Sequence, residues 1–600
     1  MYDFDLIVVG GGHAGIEAAY AAARLGSRVL VITLDLDKIG LMPCNPAIGG
    51  IGKGHLVHEI SALGGLMPEL CTKTYLQARM LNTTKGPAVH GLRLQIDKFA
   101  YNKLSKERLE ATKGITLCAD TVTKLLIKDN KIVGIQTKQT TYSAPAVILT
   151  TGTFLNGTIH IGLSRHSAGR RDEPATIDLA QELASLGFEL KKFKTGTTPR
   201  LLKSSLNYDK MERQEPDALS YLFEFHPHQS TTTRDCFITY TNERTHAIIR
   251  DNLHLSAMYS GAIQPGVKPP RYCPSIEDKV GRFADKNSHH IFVEPEGKDS
   301  DEVYPSGLST SLPYEIQKQF IQSIAGFEEA VITKHGYAIE YDVIPPHEIN
   351  ESLETKRIKG LFLAGQLIGT TGYEEAASLG IMAGINAHLL THKQSPFILE
   401  PHESYIGVMI KDLTSVGTDE PYRMFTSRMG PSFRLAVRQD NSFLRLTDKA
   451  FTIGLIDEVM YQAFQQEKKV INEVLEKLRK HYSPTDLLRL FEEKEDCYKE
   501  LKQLGFYDQL SPRARDIIYA EIKYSPYIKQ YYDIDTKIIA HYSLLIPDNW
   551  VYMDMPGLSK ELQEKLTRYK PETIGHAARI PGMTPAALYL LIIAIKKRTR

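Results

Sequence analysis

The chain has 600 residues, of which 42% are hydrophobic and 24% are charged. These are the proportions of a soluble globular protein, and the length allows several domains with a large buried core. The 72 lysines and arginines balance 71 aspartates and glutamates, so the net charge is only +1. A nucleic-acid partner must therefore be held by a local basic patch, because the overall electrostatic field is nearly neutral.

The cysteines are scattered and include no C-x-x-C pair; they are Cys44, Cys71, Cys118, Cys236, Cys273 and Cys497. This spacing argues against a disulfide framework or a zinc site and indicates a reducing compartment. The N-terminus passes from Asp3 and Asp5 straight into an apolar run, unlike a signal peptide, and the apolar run 588–595 is too short to cross a bilayer. We therefore expect a cytoplasmic protein with no metal site and no membrane span.

The first residues predict the opening of a dinucleotide-binding unit. The apolar run 5–9 is followed by Gly10, Gly12 and Gly15 in G-x-G-x-x-G spacing, then by helix formers up to Gly26 and a second apolar run. The first glycine permits a tight turn, the second lets the backbone approach a pyrophosphate, and the third lets the helix pack on the strand. The helix N-terminus then offers unpaired N–H groups to the phosphates.

The residue that usually binds the ribose is missing from its normal place. An acid normally ends the second strand, whereas here Thr33 and Leu34 stand there and Asp35 and Asp37 follow slightly late. A threonine hydroxyl can also bind a ribose. The motif alone therefore leaves both FAD and NAD open.

A second glycine-rich stretch covers residues 40–54, and its glycine density is too high for an ordinary helix or strand. We expect a loop whose backbone lines a ligand and which opens into a helix near His55. The alternative is a flexible surface loop. The interleaved Ile48, Ile51 and Leu56 favour the packed loop.

Later strands are expected to return to the first sheet. Residues 115–122 and 131–137 are predicted strands separated by a turn at Asp129 and Asn130, and residues 146–152 and 359–366 are buried strands that end at glycine. Small residues then mark the packing face of a predicted helix at 374–390. Distant segments can build one parallel sheet through crossover connections. We assign residues 1–195 and 345–400 to one discontinuous, Rossmann-like FAD-binding domain of the two-dinucleotide flavoprotein type.

The intervening residues 196–344 are predicted to form an inserted α/β domain. The run 191–200 at its entrance mixes cations with an aromatic residue and hydroxyls, which suits phosphate or nicotinamide contacts, although a solvated surface explains it equally well. Beyond residue 400 the pattern predicts an all-helical domain, 401–600. A long helix from about Ile456 should end near His481, and shorter helices are expected at 559–566, 573–578 and 585–597.

Several blocks of the sequence resemble the MnmG (GidA) family of tRNA-modifying enzymes. The resemblance runs from end to end and depends on residues 10–15, 44–56, 85–89, 271–279, 365–376, 420–428 and 575–587. It implies an FAD enzyme that works with the GTPase MnmE on C5 of the wobble uridine of tRNA. The added group is carboxymethylaminomethyl or aminomethyl; methylenetetrahydrofolate supplies one carbon, glycine or ammonium the amine, and NADH the reducing equivalents. The resemblance also implies a homodimer whose helical C-terminal domain receives MnmE and helps to hold tRNA.

Two cysteines match family motif positions, and their chemistry suits the reaction. Uridine C5 is a poor nucleophile until a group adds at C6, and a thiolate is a natural group to add. We expect Cys44 and Cys273 to be catalytic, in an order that the sequence leaves open. For Cys71, Cys118, Cys236 and Cys497 we expect the role of a small apolar filler.

The resemblance also implies the cofactor residues. The FAD contacts are Gly10, Gly11, Gly12, His13, Ala14, Gly15, Val122, Ser167 and Gln366. The NAD contacts are Pro269, Pro270, Arg271, Tyr272, Cys273, Pro274, Ser275, Ile276, Glu277, Asp278, Lys279, Val280, Gly281, Arg282 and Phe283. Lys53 or the amides of residues 49–54 would stabilise negative charge on reduced flavin.

The chain departs from the family pattern at three places. Pro269 stands where a glycine usually begins the NAD stretch, His90 where an arginine is common, and residues 429–433 replace a shorter segment that carries an acid. We expect Arg423, Arg428 and Arg434 to remain available as tRNA phosphate ligands.

Two other functions stay open at this point. A TrmFO-like folate- and FAD-dependent tRNA uracil-5-methyltransferase shares the fold and the opening motif, but it is shorter and lacks the long helical C-terminal region. The second alternative is a flavin-stabilised tRNA-binding scaffold whose chemistry resides in the partner.

Overall fold

The computed structural model describes residues 2–228, 233–264, 266–270, 274–415, 417–418, 420–547, 549–553, 555–578, 580 and 582–598. The strands, in chain order, are β1 (Leu6–Val9), β2 (Val29–Thr33), β3 (Ala47–Gly49), β4 (Tyr75–Leu81), β5 (Gly91–Ile96), β6 (Ile115–Ala119), β7 (Val122–Lys128), β8 (Lys131–Thr137), β9 (Thr141–Ser143), β10 (Val147–Leu149), β11 (Thr158–Ile161), β12 (Ser164–Ser167), β13 (Lys191–Thr197), β14 (Arg200–Leu202), β15 (Glu212–Gln214), β16 (Cys236–Tyr240), β17 (His290–Pro295), β18 (Glu302–Ser306), β19 (Ile332–Lys334), β20 (Tyr337–Val343) and β21 (Leu361–Leu363). The helices are α1 (His13–Arg24), α2 (Lys53–Ala62), α3 (Met67–Thr74), α4 (Lys98–Ala111), α5 (Ile177–Ser185), α6 (Glu243–Asp251), α7 (Ile276–Arg282), α8 (Tyr314–Ile321), α9 (Tyr373–Thr391), α10 (Tyr405–Ser415), α11 (Pro431–Arg434), α12 (Ser442–Thr452), α13 (Glu458–His481), α14 (Pro484–Leu490), α15 (Lys494–Gln503), α16 (Pro512–Ile539), α17 (Lys560–Tyr569), α18 (Ile574–Ala577) and α19 (Pro585–Arg598).

A five-stranded parallel sheet forms the centre of the molecule, in the order β21-β10-β1-β2-β6. Val147 of β10 pairs with Ile7 on one side and with Leu361 on the other, so segments more than 200 residues apart are neighbours. The strands β1, β10 and β21 are fully buried, as their continuous apolar runs require. The predicted return of the distant segments to one sheet is confirmed.

Helices α1 and α9 pack closely on this sheet. A Cβ atom at Gly380 would lie 2.2 Å from the Ala14 carbonyl oxygen, and one at Gly384 would lie 2.3 Å from that of Ala18. Glycine is therefore required where the two helices cross. This contact is the small-residue packing face that the sequence predicts.

The predicted strand 115–122 is wrong in one respect, because it is two strands. Strand β6 lies at the edge of the parallel sheet, whereas β7 leaves it and forms an antiparallel sheet with β8 and β9. The chain changes direction at Asp120 and Thr121, which belong to neither strand. The predicted turn is confirmed: Asp129 and Asn130 have φ of 51° and 57°, the left-handed conformation of a tight hairpin.

The inserted region has its own core. A six-stranded sheet in the order β15-β16-β17-β18-β14-β19 packs with α6, α7 and α8 around residues between Leu201 and Ala330. A four-stranded sheet, β12-β11-β20-β13, lies between the inserted sheet and the parallel sheet in the chain. Strands β11, β12 and β13 precede the inserted sheet, and β20 follows it. The inserted sheet thus begins at Arg200 and ends at Lys334, inside the predicted limits of 196 and 344.

The C-terminal part is helical. Helix α13 ends at His481 as predicted, and the helices α17, α18 and α19 lie at the three predicted places. However, the residues from 401 to Phe464 belong to the same core as the parallel sheet, and separate helical cores begin only at Ile471 and at Ile538. Among the described residues, none of the helices combines the length and the apolar character needed to cross a membrane.

Candidate active site

A cavity of about 570 Å³ opens beside the carboxyl ends of the parallel strands. Its walls come from the turns after β1, β10 and β21, from the glycine-rich loop before α2, and from the inserted domain. Strands β1 and β10 are neighbours in the sheet, but the chain continues from them in opposite directions. Ligands of open α/β sheets bind at such a switch point, and the volume is that of a small-molecule site.

The first glycine turn forms one end of this cavity. Gly10 has φ of 114°, and a Cβ atom there would lie 2.5 Å from the Thr150 carbonyl oxygen; at Gly15 it would lie 1.9 Å from that of Gly10. At Gly12, by contrast, a Cβ atom would meet no protein atom within 4 Å. Gly12 is also the N-cap of α1, whose first turn has no side-chain cap and no acid. Unpaired helix N–H groups therefore line the space that Gly12 leaves open, which is an arrangement suited to an anion.

Buried polar atoms in the cavity wall fit a polar ligand. His13 Nε2, Asn45 Oδ1 and Thr151 Oγ1 are buried and have no hydrogen-bond partner among the described residues. Unpaired buried polar atoms are rare in folded proteins. Burial also lowers the pKa of His13 to about 4, so the ring is neutral near pH 7.

The second glycine-rich stretch is held against α9. Lys53 Nζ lies 2.8 Å from Glu374 Oε2 and 3.0 Å from Glu375 Oε2, and the Gly49 N–H donates to Glu374 Oε1 at 2.7 Å. Burial opposes the charge of Lys53, but the two carboxylates raise its pKa. The loop is therefore packed as predicted, although Ile51 is 37% exposed. Lys53 lines the cavity as one member of an ion-paired cluster that includes both carboxylates.

Cys44 lines the cavity where this loop meets the inserted domain. Its Sγ lies 3.1 Å from Tyr304 Oη and 3.7 Å from the Gly196 carbonyl oxygen, and its backbone N–H donates to Tyr373 Oη at 3.0 Å. The thiol is partly exposed. It is thus placed to react with a molecule in the cavity.

Most of the other predicted FAD residues line the cavity, but Ser167 does not. Gly10, Gly11, Gly12, His13, Ala14, Val122 and Gln366 line the cavity, and Gly15 supports the turn from below. Thr33 and the late Asp35 also line it. Ser167 lies exposed at the end of β12, outside the cavity wall.

Among the described residues of the predicted NAD stretch, Pro274 and Lys279 line the cavity. Ser275 caps α7, and Glu277 is buried, where it accepts a hydrogen bond from the Ser311 N–H. Phe283 is exposed. Arg271, Tyr272 and the predicted catalytic Cys273 lie outside the described residues.

The basic run 191–200 faces the cavity with its hydroxyls and backbone: Thr195, Gly196, Thr197 and Thr198 line the wall. Its cations make internal contacts. Lys192 Nζ pairs with Asp342 at 2.7 Å, and the buried Arg200 Nε donates to Glu296 at 2.8 Å. Arg200 is buried, so the prediction of a solvated surface is wrong for this residue. Lys192 and Arg200 both pair with carboxylates, so neither supports the predicted contact with phosphate.

The arginines expected to bind tRNA also have internal partners. Arg428 Nε donates to the Arg423 carbonyl at 2.8 Å and Arg434 donates to the Met429 carbonyl at 2.9 Å. Arg423 Nε lies 3.2 Å from Thr371 Oγ1, and its side chain lines the cavity. The first two arginines therefore contribute to the packing of their own segment.

Comparisons with known proteins agree with this geometry. The family model described as glucose inhibited division protein A matches residues 5–395, and the model of the tRNA modifying enzyme MnmG/GidA C-terminal helical bundle matches residues 536–600. The chain belongs to the MnmG/GidA family of tRNA-modifying enzymes. The family and the mixed α/β fold with a helical C-terminal domain, both predicted from the sequence, are confirmed.

Two solved structures of Aquifex aeolicus GidA are similar to this MnmG/GidA chain over almost all of its length. The form I crystal structure is 43% identical, covers 99% of this chain and 100% of that chain, and has a TM-score of 0.86. The form II structure is 41% identical, covers 99% and 98%, and has a TM-score of 0.85. The GidA-related protein from Thermus thermophilus is 16% identical, covers 65% of this chain and 99% of that chain, and has a TM-score of 0.32.

Sequence reasoning missed Tyr304 and the role of Arg200. No motif surrounds Tyr304, which reaches Cys44 only because β18 of the inserted sheet lies beside the glycine loop. Arg200 ends a basic run that the sequence cannot distinguish from a solvated surface. Neither residue has a local signal that indicates the site.

Proposed function

We propose that this chain is an FAD-dependent enzyme that, with the GTPase MnmE, modifies C5 of the wobble uridine of tRNA in the cytoplasm. The group added is carboxymethylaminomethyl or aminomethyl, built from methylenetetrahydrofolate and glycine or ammonium, with NADH as the reductant. One observation carries the proposal: a single cavity joins a glycine cradle for a dinucleotide to a partly exposed thiol. Membership of a tRNA-modifying family supports the choice of substrate.

The cavity wall fits FAD on its own chemistry. The N-terminus of α1 and the open space at Gly12 suit the pyrophosphate, and Thr33 or Asp35 the ribose. The unpartnered atoms of His13, Asn45 and Thr151 suit further polar groups of the cofactor or substrate. Gln366 and Val122 would complete the FAD site. Bound FAD supplies the redox chemistry, for which NADH is the electron source.

The thiols would activate the uracil ring. Cys44 or Cys273, as a thiolate, forms a bond from Sγ to C6 while the C5–C6 electron pair shifts to C5. C5 then attacks the methylene carbon of the methylenetetrahydrofolate iminium, and the C=N π electrons move to the folate nitrogen. Loss of the C5 proton then expels the thiolate and restores the C5–C6 double bond. The contacts of Cys44 with the cavity wall support this role.

NADH would enter from the inserted domain. Lys279 and Pro274 line the cavity on that side, and a lysine ammonium there suits a phosphate of the dinucleotide. Helix α7 is fixed by a capping box between Ser275 and Asp278. This fixed helix would hold the nicotinamide cofactor next to the FAD site.

The helical C-terminal part would receive the partners. Its last bundle has a separate core, from Ile538 to Ile595, so it presents its own surface. We propose that it binds MnmE and tRNA, that the chain acts as a homodimer, and that the complex with MnmE is a heterotetramer.

The test is a mass-spectrometric survey of wobble nucleosides from cells that lack this chain, with re-expression of the wild type or of the Cys44→Ser variant. The proposal predicts that the modified wobble uridine disappears and that only the wild type restores it. Two other results favour the alternatives. Loss of a T-loop methyluridine would indicate a TrmFO-like methyltransferase. If NADH does not reduce the flavin of the purified protein, the chain is a scaffold.

A further inference from the structure

Cys44 lies at the end of a buried chain of charged groups that the proposed reaction does not use. Arg200 Nε donates to Glu296 Oε1 at 2.8 Å, and Lys98 pairs with Glu296 Oε2. All three side chains are at most 9% exposed. Two cations and one carboxylate leave a net positive charge behind the site, and such a charge favours an anion nearby.

Tyr304 connects this charge to the thiol. The Arg200 guanidinium lies 4.7 Å from the centroid of the Tyr304 ring, and Tyr304 Oη lies 3.1 Å from Cys44 Sγ. Arg200 also donates to the Pro43 carbonyl at 2.6 Å and therefore fixes the residue before the cysteine. A cation beside a phenol strengthens the phenol as a hydrogen-bond donor.

We propose that Tyr304 is a positioning residue for the Cys44 thiolate: its hydroxyl donates a hydrogen bond to Sγ, and the Arg200–Glu296–Lys98 cluster supplies the charge that favours the ionised thiol. This inference rests on the proposed role of Cys44. When the thiol is protonated, the Gly196 carbonyl is the acceptor that faces it, at 3.7 Å. On ionisation the thiol proton leaves to solvent through the open side of the cavity, and Tyr304 stays protonated.

The electrostatic coupling acts in both directions. Burial opposes the charge of Arg200, but the Glu296 carboxylate and, more weakly, the Cys44 thiolate raise its pKa. By linkage, a charge that Cys44 stabilises on Arg200 stabilises the thiolate in return.

Other groups around Cys44 act in the opposite direction or not at all. Tyr373 of α9 accepts a hydrogen bond from the backbone N–H of Cys44, whereas Tyr304 contacts the sulfur. Glu374 and Glu375 of α9 disfavour a thiolate, but both pair with Lys53 and both accept backbone N–H bonds. Their net negative charge is thus held at the α2–α9 junction by the pairing with Lys53.

The test is the pH profile of iodoacetamide alkylation at Cys44, measured by peptide mass spectrometry on the full-length protein as purified. Tyr304→Phe removes only the hydroxyl. We expect this variant to alkylate about tenfold more slowly than wild type at pH 7, with the midpoint of its profile shifted to higher pH. Tyr240→Phe, which removes an exposed hydroxyl outside the cavity wall, is the matched control and should keep the wild-type midpoint.

Cys118 serves as an internal reference, because it lies outside the cavity wall beside Tyr142 and should show the same profile in every variant. A shift at Cys118 marks a folding defect. In that case Lys98→Met, which removes one cation of the cluster, replaces Tyr304→Phe and must shift the Cys44 midpoint to higher pH. Equal Cys44 profiles in wild type and variant overturn the proposal, as does a wild-type Cys44 that alkylates only above about pH 9 or not at all. A shifted profile together with full tRNA modification by Cys44→Ser would contradict the catalytic role of Cys44 and leave the thiolate contact standing.

Discussion

The imidazole of His13 stacks on the ring of Tyr373, with centroids 4.5 Å apart and an angle of 28° between the planes. His13 begins α1 and Tyr373 begins α9, so the contact joins the two helix N-termini that open on the cavity. The segments are 360 residues apart in the chain. The site therefore exists only when both passages of the chain through the central domain are in place.

Alanine substitutions at two glycines of the first turn should have different effects, one on folding and the other on FAD binding. A methyl group at Gly15 meets the Gly10 carbonyl at 1.9 Å, so Gly15→Ala should lower the thermal unfolding midpoint and the yield of folded protein. A methyl group at Gly12 meets only the cavity, so Gly12→Ala should fold normally and bind FAD at least about tenfold more weakly. Thermal unfolding and FAD titration of both variants check this. Equal FAD affinity in Gly12→Ala and wild type would place the pyrophosphate elsewhere.

The two motif cysteines should be essential for the reaction and not for the fold. We expect Cys44→Ser and Cys273→Ser each to lose at least about a hundredfold in tRNA modification, because serine is a far weaker nucleophile. Cys118→Ser is the control, since Cys118 contacts Tyr142 outside the cavity wall. The measurement is single-turnover modification of a wobble-uridine tRNA with MnmE present. Near-full activity in both motif variants would remove thiol catalysis.

Local patterns explain why the sequence indicates the glycine turn, the packed loop and the packing face of α9. The glycines at 10, 12 and 15, the loop 40–54 and the small residues of α9 each have a steric requirement that acts between neighbours in the chain or on one helix face. Such requirements leave a signature in the sequence itself. The packing of Gly380 on Ala14 is of this kind, since only small residues allow it.

The contacts that the sequence cannot predict are made between separate domains. Tyr304 reaches Cys44 because two sheets meet there, and its neighbours in the chain carry no sign of that contact. Helix α13 packs first on the core of the parallel sheet and then on a helical core. The sequence does not show where this change occurs, because the apolar periodicity of the helix is the same in both cores. Only the family resemblance indicates Ser167, which lies on an exposed strand end.

Acid should destabilise the protein through its buried histidines. Burial lowers the pKa of His55 to about 3, well below an unfolded value of about 6.5. The unfolded state therefore binds more protons at mildly acidic pH, so this contribution to stability is complete above about pH 6.5 and is lost as the pH falls. At pH 5 the loss is about 2 kcal/mol for this residue.

The His55→Gln variant tests this origin, because glutamine does not titrate. Its thermal unfolding midpoint should fall less than that of wild type between pH 7 and pH 5. Identical falls in the two proteins would show that His55 is not the source.

A buried ion pair should hold the helical C-terminal part on the rest of the molecule. Arg438 is fully buried, and its guanidinium donates to Glu521 of α16 at 2.8 Å and to Asp440. Arg438→Met leaves the carboxylates of Asp440 and Glu521 without their cationic partner. It should therefore destabilise the packing of α16 on the rest of the molecule by about 3–5 kcal/mol. Limited proteolysis should then cut near α16 faster than in wild type. Arg489→Met is the control, because that side chain is 79% exposed and its pair with Asp486 spans 3.9 Å.

The most direct test of the whole account is the visible absorption spectrum of the purified full-length protein, before and after incubation with FAD. The account predicts a yellow protein with a visible flavin absorption band, one FAD per chain, and a clear loss of that band in Gly12→Ala at equal FAD. A folded wild-type protein that is colourless and takes up no flavin would contradict it.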